Sequence, residues 1–341
     1  MKKRLLAMLL AAAMCTGLAA CSSDTGTATT PEGGETAESG DGSYNIDVIL
    51  KTTASEYWQY VQAGAMAYQK DNPNVTVTVK GAPSETSYQE QLNMIQTDLA
   101  GDYDGFVIAP LQADMVANLI EGQTKPIVAV DTKIEAPEVI SFVGTGNESA
   151  GALGGAAAVE AAKAAGWTDI KAIEIAGVQG DTTNTDRMNG YMKGIEEAGG
   201  DFLEDEVQYA DAVATKAVDA MNGIMSRYPD GIAIICANND DMAIAAAKAA
   251  ADSGNEAYAN TIFLGFDGIQ SACDAILEGR LTMSVAQQGY EMGYMAVEAV
   301  VNNLNGEEVE EFIDSGADVV TADNAQERKE TLQGYLDALE A

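Results

Sequence analysis

The sequence predicts an α/β protein built as two doubly wound parallel-sheet lobes, and three observations carry that reading. From Tyr44 onward, short β-branched runs alternate with longer Ala-rich stretches of helical periodicity, the pattern of parallel strands with helices on both sheet faces. Gly and Pro stand between the runs (Pro73, Gly81, Gly101, Gly122), where breakers of regular structure belong. The alternation falls into two series of similar length, as two lobes with a cleft between them require, and 341 residues suit about two domains.

In chain order, the first series predicts strand 45–50, helix 57–71, strand 75–79, helix 84–100, strand 105–109, helix 112–122, strand 126–130 and a short strand over 139–143. A long Ala/Gly helix is expected over 148–165. The second series reads strand 170–176, helix 184–198, strand 202–209, helix 212–227, strand 231–236, helix 239–252, strand 261–265, helix 269–278, strand 281–285 and helix 288–303. A strand over 309–314 and a helix over 325–339 close it. Gly144-Thr-Gly146-Asn-Glu-Ser-Ala-Gly151 has some features of a dinucleotide-binding turn. It follows four βα units rather than the first, however, and its third glycine is out of register. Its small residues suit a backbone crossing between lobes, with Asn147 near a hinge.

The N-terminal segment reads as an export signal over residues 1–20: Lys2, Lys3 and Arg4, an apolar run from Leu5 to Met14, then Leu18-Ala19-Ala20-Cys21. The run is too short to span a bilayer, which takes about 20 apolar residues. Leu-Ala-Ala-Cys also resembles the lipobox of bacterial lipoproteins, which implies that Cys21 is the lipidation site and the mature N-terminus. Residues 22–43 are rich in Ser, Thr, Gly and Glu without a large apolar side chain, and such a segment is expected to be a flexible tether. The expectation is an exported protein on the outer face of the cytoplasmic membrane, facing the cell surface or periplasm, with the lipid as its only membrane contact.

Composition removes several function classes. The formal charge is −35, and −38 once the three leader cations Lys2, Lys3 and Arg4 are gone. Nucleic-acid binding needs Lys and Arg to neutralise phosphates, so no nucleic acid is expected as partner. Histidine is absent, and with it the commonest general base and metal ligand. Cys236 ends an apolar run and Cys273 falls within a helical pattern, so both are expected as buried free thiols. Nothing has metal spacing, and neither a metal nor a cofactor is expected.

The polar residues at strand ends carry the functional argument. In an open α/β sheet, ligands bind outside the carboxyl ends of the strands. The stretch KTTASEYW places Lys51, Tyr57 and Trp58 after the first strand. Asp131 follows Ile127–Val130, Asp181 and Arg187 follow Ile173–Ala176, and Asn238-Asn239-Asp240 follows Ile232–Cys236. Asp267 follows Ile262–Phe266, and Gln287 follows Leu281–Ala286. Each Asp or Asn has an alternative role as a helix N-cap, and Asp240 is read as a cap only. Tyr57 and Trp58 have an alternative place in the helix core, with Lys51 solvated. Still, five strands bring Asp, Asn, Arg or Gln to one edge, and Arg and Gln are poor caps. An Arg fork, carboxylates and side-chain amides match a neutral polyol, with aromatic faces for its C–H surfaces. No nucleophile stands with its base, and carboxylates on opposite lobes give no reason to expect glycosidic cleavage, so the expected role is binding rather than catalysis.

At these residues the chain resembles the type I periplasmic sugar-binding proteins, the ribose-, galactose- and arabinose-binding group that shares its fold with the lactose-repressor family. The resemblance covers 44–341 and is carried by Tyr57-Trp58, Asp131, Asp186-Arg187-Met-Asn-Gly-Tyr, Ala237-Asn-Asn239-Asp-Asp-Met-Ala, Gly265-Phe-Asp267-Gly and Ala286-Gln287. It implies that Tyr57 and Trp58 stack on a sugar ring and that Asp131, Arg187, Asn239, Asp267 and Gln287 hydrogen-bond to it. Lys51 matches the strand-end lysine of the arabinose-binding type, and Ser55 falls where a polar ligand group is common. Three departures stand out. Thr132 replaces an arginine of ribose binders, and a histidine of the galactose type is replaced around Asp181. The second-lobe aromatic expected near Ala212 is missing, with Tyr209 the candidate to compensate. The family's calcium loop is not visible.

The resemblance also implies a three-strand hinge between lobe 1 (44–145 plus 288–318) and lobe 2 (146–287 plus 319–341). It implies a monomeric substrate-binding protein of an ABC transporter that hands a monosaccharide to its permease. The alternative is a binder of a nucleoside or a furanosyl quorum signal on the same fold, for uptake or chemosensing. Lys51 and the missing aromatic keep it open.

Overall fold

Period-two alternation of large apolar residues builds the first sheet. The computed structural model describes residues 42–340; the export signal, Cys21 and the tether as far as residue 41 lie outside the described residues. In β1 (Tyr44–Thr52), Ile46, Val48 and Leu50 join one core while Ile49 joins another on the opposite face. Strands buried on both faces read as continuous hydrophobic runs, and β3 (Gly105–Ile108) and β4 (Ile127–Val130) are buried throughout. Together with β2 (Val75–Ala82), β5 (Val139–Gly144) and β12 (Phe312–Asp314) they form a six-stranded parallel sheet in the order β12-β5-β4-β3-β1-β2. Helices α1 (Glu56–Asp71) and α9 (Gly289–Leu304) pack together beside it, and α2 (Tyr88–Leu99) and α3 (Ala113–Leu119) also belong to this half.

The second sheet has the order β13-β11-β10-β9-β6-β7, from β13 (Ala317–Val320), β11 (Met283–Gln287), β10 (Ile262–Asp267), β9 (Ile234–Ala237), β6 (Lys171–Ala176) and β7 (Asp201–Phe202), with β8 (Gln208–Tyr209) also on β6. Helices α4 (Asn147–Ala164) and α5 (Thr182–Glu197) pack as a pair in this half, as do α6 (Ala214–Arg227) and α7 (Asp240–Asp252). Helix α8 (Gln270–Leu277) contacts α10 (Ala325–Glu340), which also reaches α1. Cys236 and Cys273 are buried free thiols.

The chain passes between sheets three times. It leaves β5 for α4, which packs on β10 and β11. It returns from β11 to α9, which packs on β3, β4 and β5, and passes finally from β12 to β13. No helix among the described residues is long and apolar enough to cross a membrane.

Two expectations need correction. The strand expected over 202–209 is broken into β7 and β8 by a 3-10 turn at Glu204–Glu206, since three successive carboxylates fit a sheet poorly. The strand expected over 309–314 is confined to β12, and a separate strand follows, β13, which runs antiparallel to β11. The sheets are thus not parallel throughout.

Candidate functional site

All ten candidate ligand residues line one cleft between the two sheets. On the first-sheet side, Lys51 lies near the end of β1 with 6% of its surface exposed, so the alternative of a solvated lysine does not hold. Ser55 occupies the N-cap position of α1 without spending its hydroxyl on the cap. Tyr57 donates its hydroxyl to Asp131 Oδ1 at 3.0 Å, and Trp58 donates Nε1–H to Glu85 Oε1 at 3.1 Å. The two rings meet edge to face, 5.1 Å between centroids. Both rings also belong to the hydrophobic core, so the core and cleft readings of these aromatics hold together.

The second-sheet side is organised by Arg187. Its Nε donates to Asn147 Oδ1 at 2.9 Å and its Nη1 to the Asn238 carbonyl at 2.8 Å, with Asp267 Oδ1 3.6 Å from Nη1. The guanidinium lies 3.9 Å from the Phe266 ring centre, a cation–π contact. It can sit there because α4 and α5 approach without side chains between them: a Cβ on Gly190 would fall 2.3 Å from the Glu148 carbonyl oxygen. Gln287 Nε2 donates to Asp267 Oδ1 at 2.7 Å, while its Oε1 is buried without a partner among the described residues. Asp181 and Asn239 do serve as N-caps, accepting from the Asn184 and Met242 amides, yet both reach the cleft. Capping and cleft lining are therefore not alternatives.

Four non-glycine residues among those described have positive φ: Asp131 (63°), Asp211 (52°), Ala212 (58°) and Asp267 (118°). Three of them line the cleft. Such conformations cost about 1–3 kcal/mol each and gather at functional sites; here they aim two carboxylates inward.

The electrostatics tie the two sides together. Lys51 Nζ is 3.7 Å from Asp131 on its own side and 3.4 Å from Asp181 on the other. Burial alone would lower the lysine's pKa, but Asp181 and Asp131 outweigh it and hold the ammonium above its ordinary value. Burial pushes the Asp267 carboxyl well up, against the pull of Arg187. It raises Glu85 too, opposed by Lys51 and the Trp58 hydrogen bond. Thr132 donates to Asp131 Oδ2 at 2.9 Å and pairs with Thr183 across the cleft at 2.8 Å. The cavity is small, about 50 Å³ over the positions open to the centre of a water molecule, because these groups bond to one another. The arrangement offers hydrogen-bond donors and acceptors from both sides. Among the described residues no group of side chains is placed to hold a metal ion.

Sequence reasoning missed Glu85, Thr183 and Asn184, and did not carry Asn238 into its candidate set; all line the cleft. Glu85 lies just beyond β2, so the strand-end rule applied to that strand would have found it. The two remaining corrections concern Tyr209 and Asp240. Tyr209 is 44% exposed and does not replace the missing aromatic near Ala212. Asp240 is not the cap of α7, which is Asn239; it is buried and accepts the Ile269 amide at 3.0 Å.

Two parallel-sheet lobes joined by three chain crossings around a polar cleft define the type I periplasmic-binding-protein-like fold. The family model described as periplasmic binding protein domain matches residues 46–308, and the chain belongs to that family. It is 29% identical over 265 residues to the D-allose-binding periplasmic protein of Escherichia coli, covering 75% of this chain and 83% of that one. It is 26% identical over 268 residues to the ribose import binding protein of Salmonella typhimurium, covering 78% and 86%. Among solved structures, a carbohydrate transporter solute binding protein from Agrobacterium radiobacter, in complex with D-arabinose, is similar at a TM-score of 0.78 and 26% identity, covering 85% of this chain and 98% of that one.

Proposed function

We propose that this chain is the solute-binding component of an ABC importer, taking a neutral monosaccharide into the interlobe cleft and presenting it to a permease. The observation that carries the reading is the convergence of Lys51, Ser55, Tyr57, Trp58 and Asp131 with Asp181, Arg187, Asn239, Asp267 and Gln287 from the facing side. Pentose and hexose binders among its relatives support the ligand class. In this reading the lobes are 44–145 with 288–316 and 146–287 with 317–341, the last boundary moved from 318 because β13 pairs with β11; the crossings act as hinges, and the protein works as a monomer anchored through Cys21. A sugar's hydroxyls would replace the contacts that the polar side chains make across the cleft. Closure follows because the sugar bonds both lobes only when they are together.

In this reading the cleft residues bind the ligand and release it unchanged. Isothermal titration against pentoses, hexoses and inositols tests this. Micromolar or tighter binding of one of them is expected; no heat with any of them, or heat only with a nucleoside or furanosyl signal, defeats the monosaccharide reading.

A further inference from the structure

Glu56 opens α1 in the first lobe, directly after the strand-end segment that lines the cleft, yet its carboxylate serves the second lobe. Oε1 accepts the Gln270 amide at 2.7 Å and the Ser271 amide at 3.3 Å, and Oε2 accepts the Ser271 hydroxyl at 2.7 Å. These are the first two residues of α8. The first amides of a helix need outside acceptors, and the N-cap residue here, Ile269, has no side-chain oxygen to offer. The cap comes from the other lobe, and the helix dipole favours its negative charge. On its own side Glu56 is held by the Tyr60 hydroxyl, which donates to Oε1 at 2.6 Å. Glu56 does not itself line the cleft.

We propose that Glu56 is a positioning residue for closure, holding the lobes together by capping α8 and so raising affinity for a ligand it never touches. The inference rests on the solute-binding reading above. Hydrogen bonds of this length are lost when donor and acceptor part by about 1 Å. Rotation about the crossings at 144–147, 287–289 and 314–317 draws α1 away from α8 and leaves both the carboxylate and the helix end to water. A contact made in only one arrangement shifts the population toward it.

The test measures lobe separation directly, with spin labels on the exposed Asn118 of α3 and Asn222 of α6 in the full chain, with and without a sugar that binds. Glu56→Gln, and independently Ser271→Ala from the other lobe, should move the distance distribution toward longer separations. Tyr60→Phe, which removes the bond within the first lobe and the longer one that the hydroxyl accepts from the Gln270 amide at 3.4 Å, should move it less than either. The sugar-free melting temperature should stay unchanged, which a cap that merely supports the fold would not allow. Where the wild type binds a sugar, Glu56→Gln should weaken it on the order of tenfold, through faster dissociation, and adding Ser271→Ala should do little more. Lobe separation is read without ligand as well, so the latch and the binding reading can fail separately. Distance distributions and dissociation rates equal to those of the wild type in both Glu56→Gln and Ser271→Ala overturn the proposal.

Discussion

Trp58 is 3% exposed, so its contribution to binding is inseparable from its place in the core. Trp58→Ala removes the ring, its edge contact with Tyr57 and the donor to Glu85 together. Sugar affinity should fall by about 1–3 kcal/mol, and the melting temperature should fall with it. Trp58→Phe keeps an aromatic face and should recover most of the stability but less of the affinity. Titration and thermal unfolding of the two variants separate these effects. A second residue-scale consequence comes from Glu174 on β6, fully buried, with neither oxygen bonded among the described residues. Burial raises its pKa to about 8, opposed by the charge of Arg187. The folded chain therefore keeps a proton that the unfolded chain releases at the ordinary value of 4.5. Between those values the unfolded state binds fewer protons, and stability falls as pH rises, levelling off above about 8. Glu174→Gln should flatten this slope. Compared with its standing near pH 5, the variant should gain on the order of 2–4 kcal/mol over wild type near pH 8.5, as denaturant unfolding at the two pH values would show.

At the scale of elements, the site depends on how closely α4 and α5 pack. Gly190→Ala puts a Cβ 2.3 Å from the Glu148 carbonyl oxygen and 2.9 Å from Gly151 Cα, so α5 must shift and carry Arg187 away from Asn147. A loss of about 1–3 kcal/mol in stability is expected, along with weaker sugar binding. Gly223→Ala on α6, where nothing lies within 4 Å, should instead stabilise slightly, and paired unfolding and titration measurements compare them. The same scale shows what the residue pattern discloses. The βα alternation is plain in the sequence because the buried strands are short apolar runs, most of them rich in Val, Ile and Ala, and many boundaries carry a Gly or Pro. Strand β13 escaped notice because Ala317–Val320 is a four-residue edge strand with no following alternation to mark it. At the cleft, strand-end polar residues were legible because topology alone sends them to one edge. Glu85 was absorbed into an expected helix over 84–100 that begins only at Tyr88. Thr183 and Asn184 lie one turn into α5 or less, where sequence spacing cannot say which way a side chain points. The cross-lobe role of Glu56 depends on α8 lacking a polar cap, which is visible only once α1 and α8 are seen side by side.

For the whole molecule, the proposed function requires that one sugar be held by both lobes at once. Lys51 already joins Asp131 and Asp181 across the cleft, and the ligand is expected to enter this same network and replace part of it. The most direct measurement is a crystal structure of the chain grown with the sugar that gives the strongest heat in titration. That sugar should lie in the cleft, within hydrogen-bond distance of Lys51 or Asp131 on one side and of Arg187 or Asp267 on the other. A sugar bound outside the cleft, or held by one lobe alone, would contradict it.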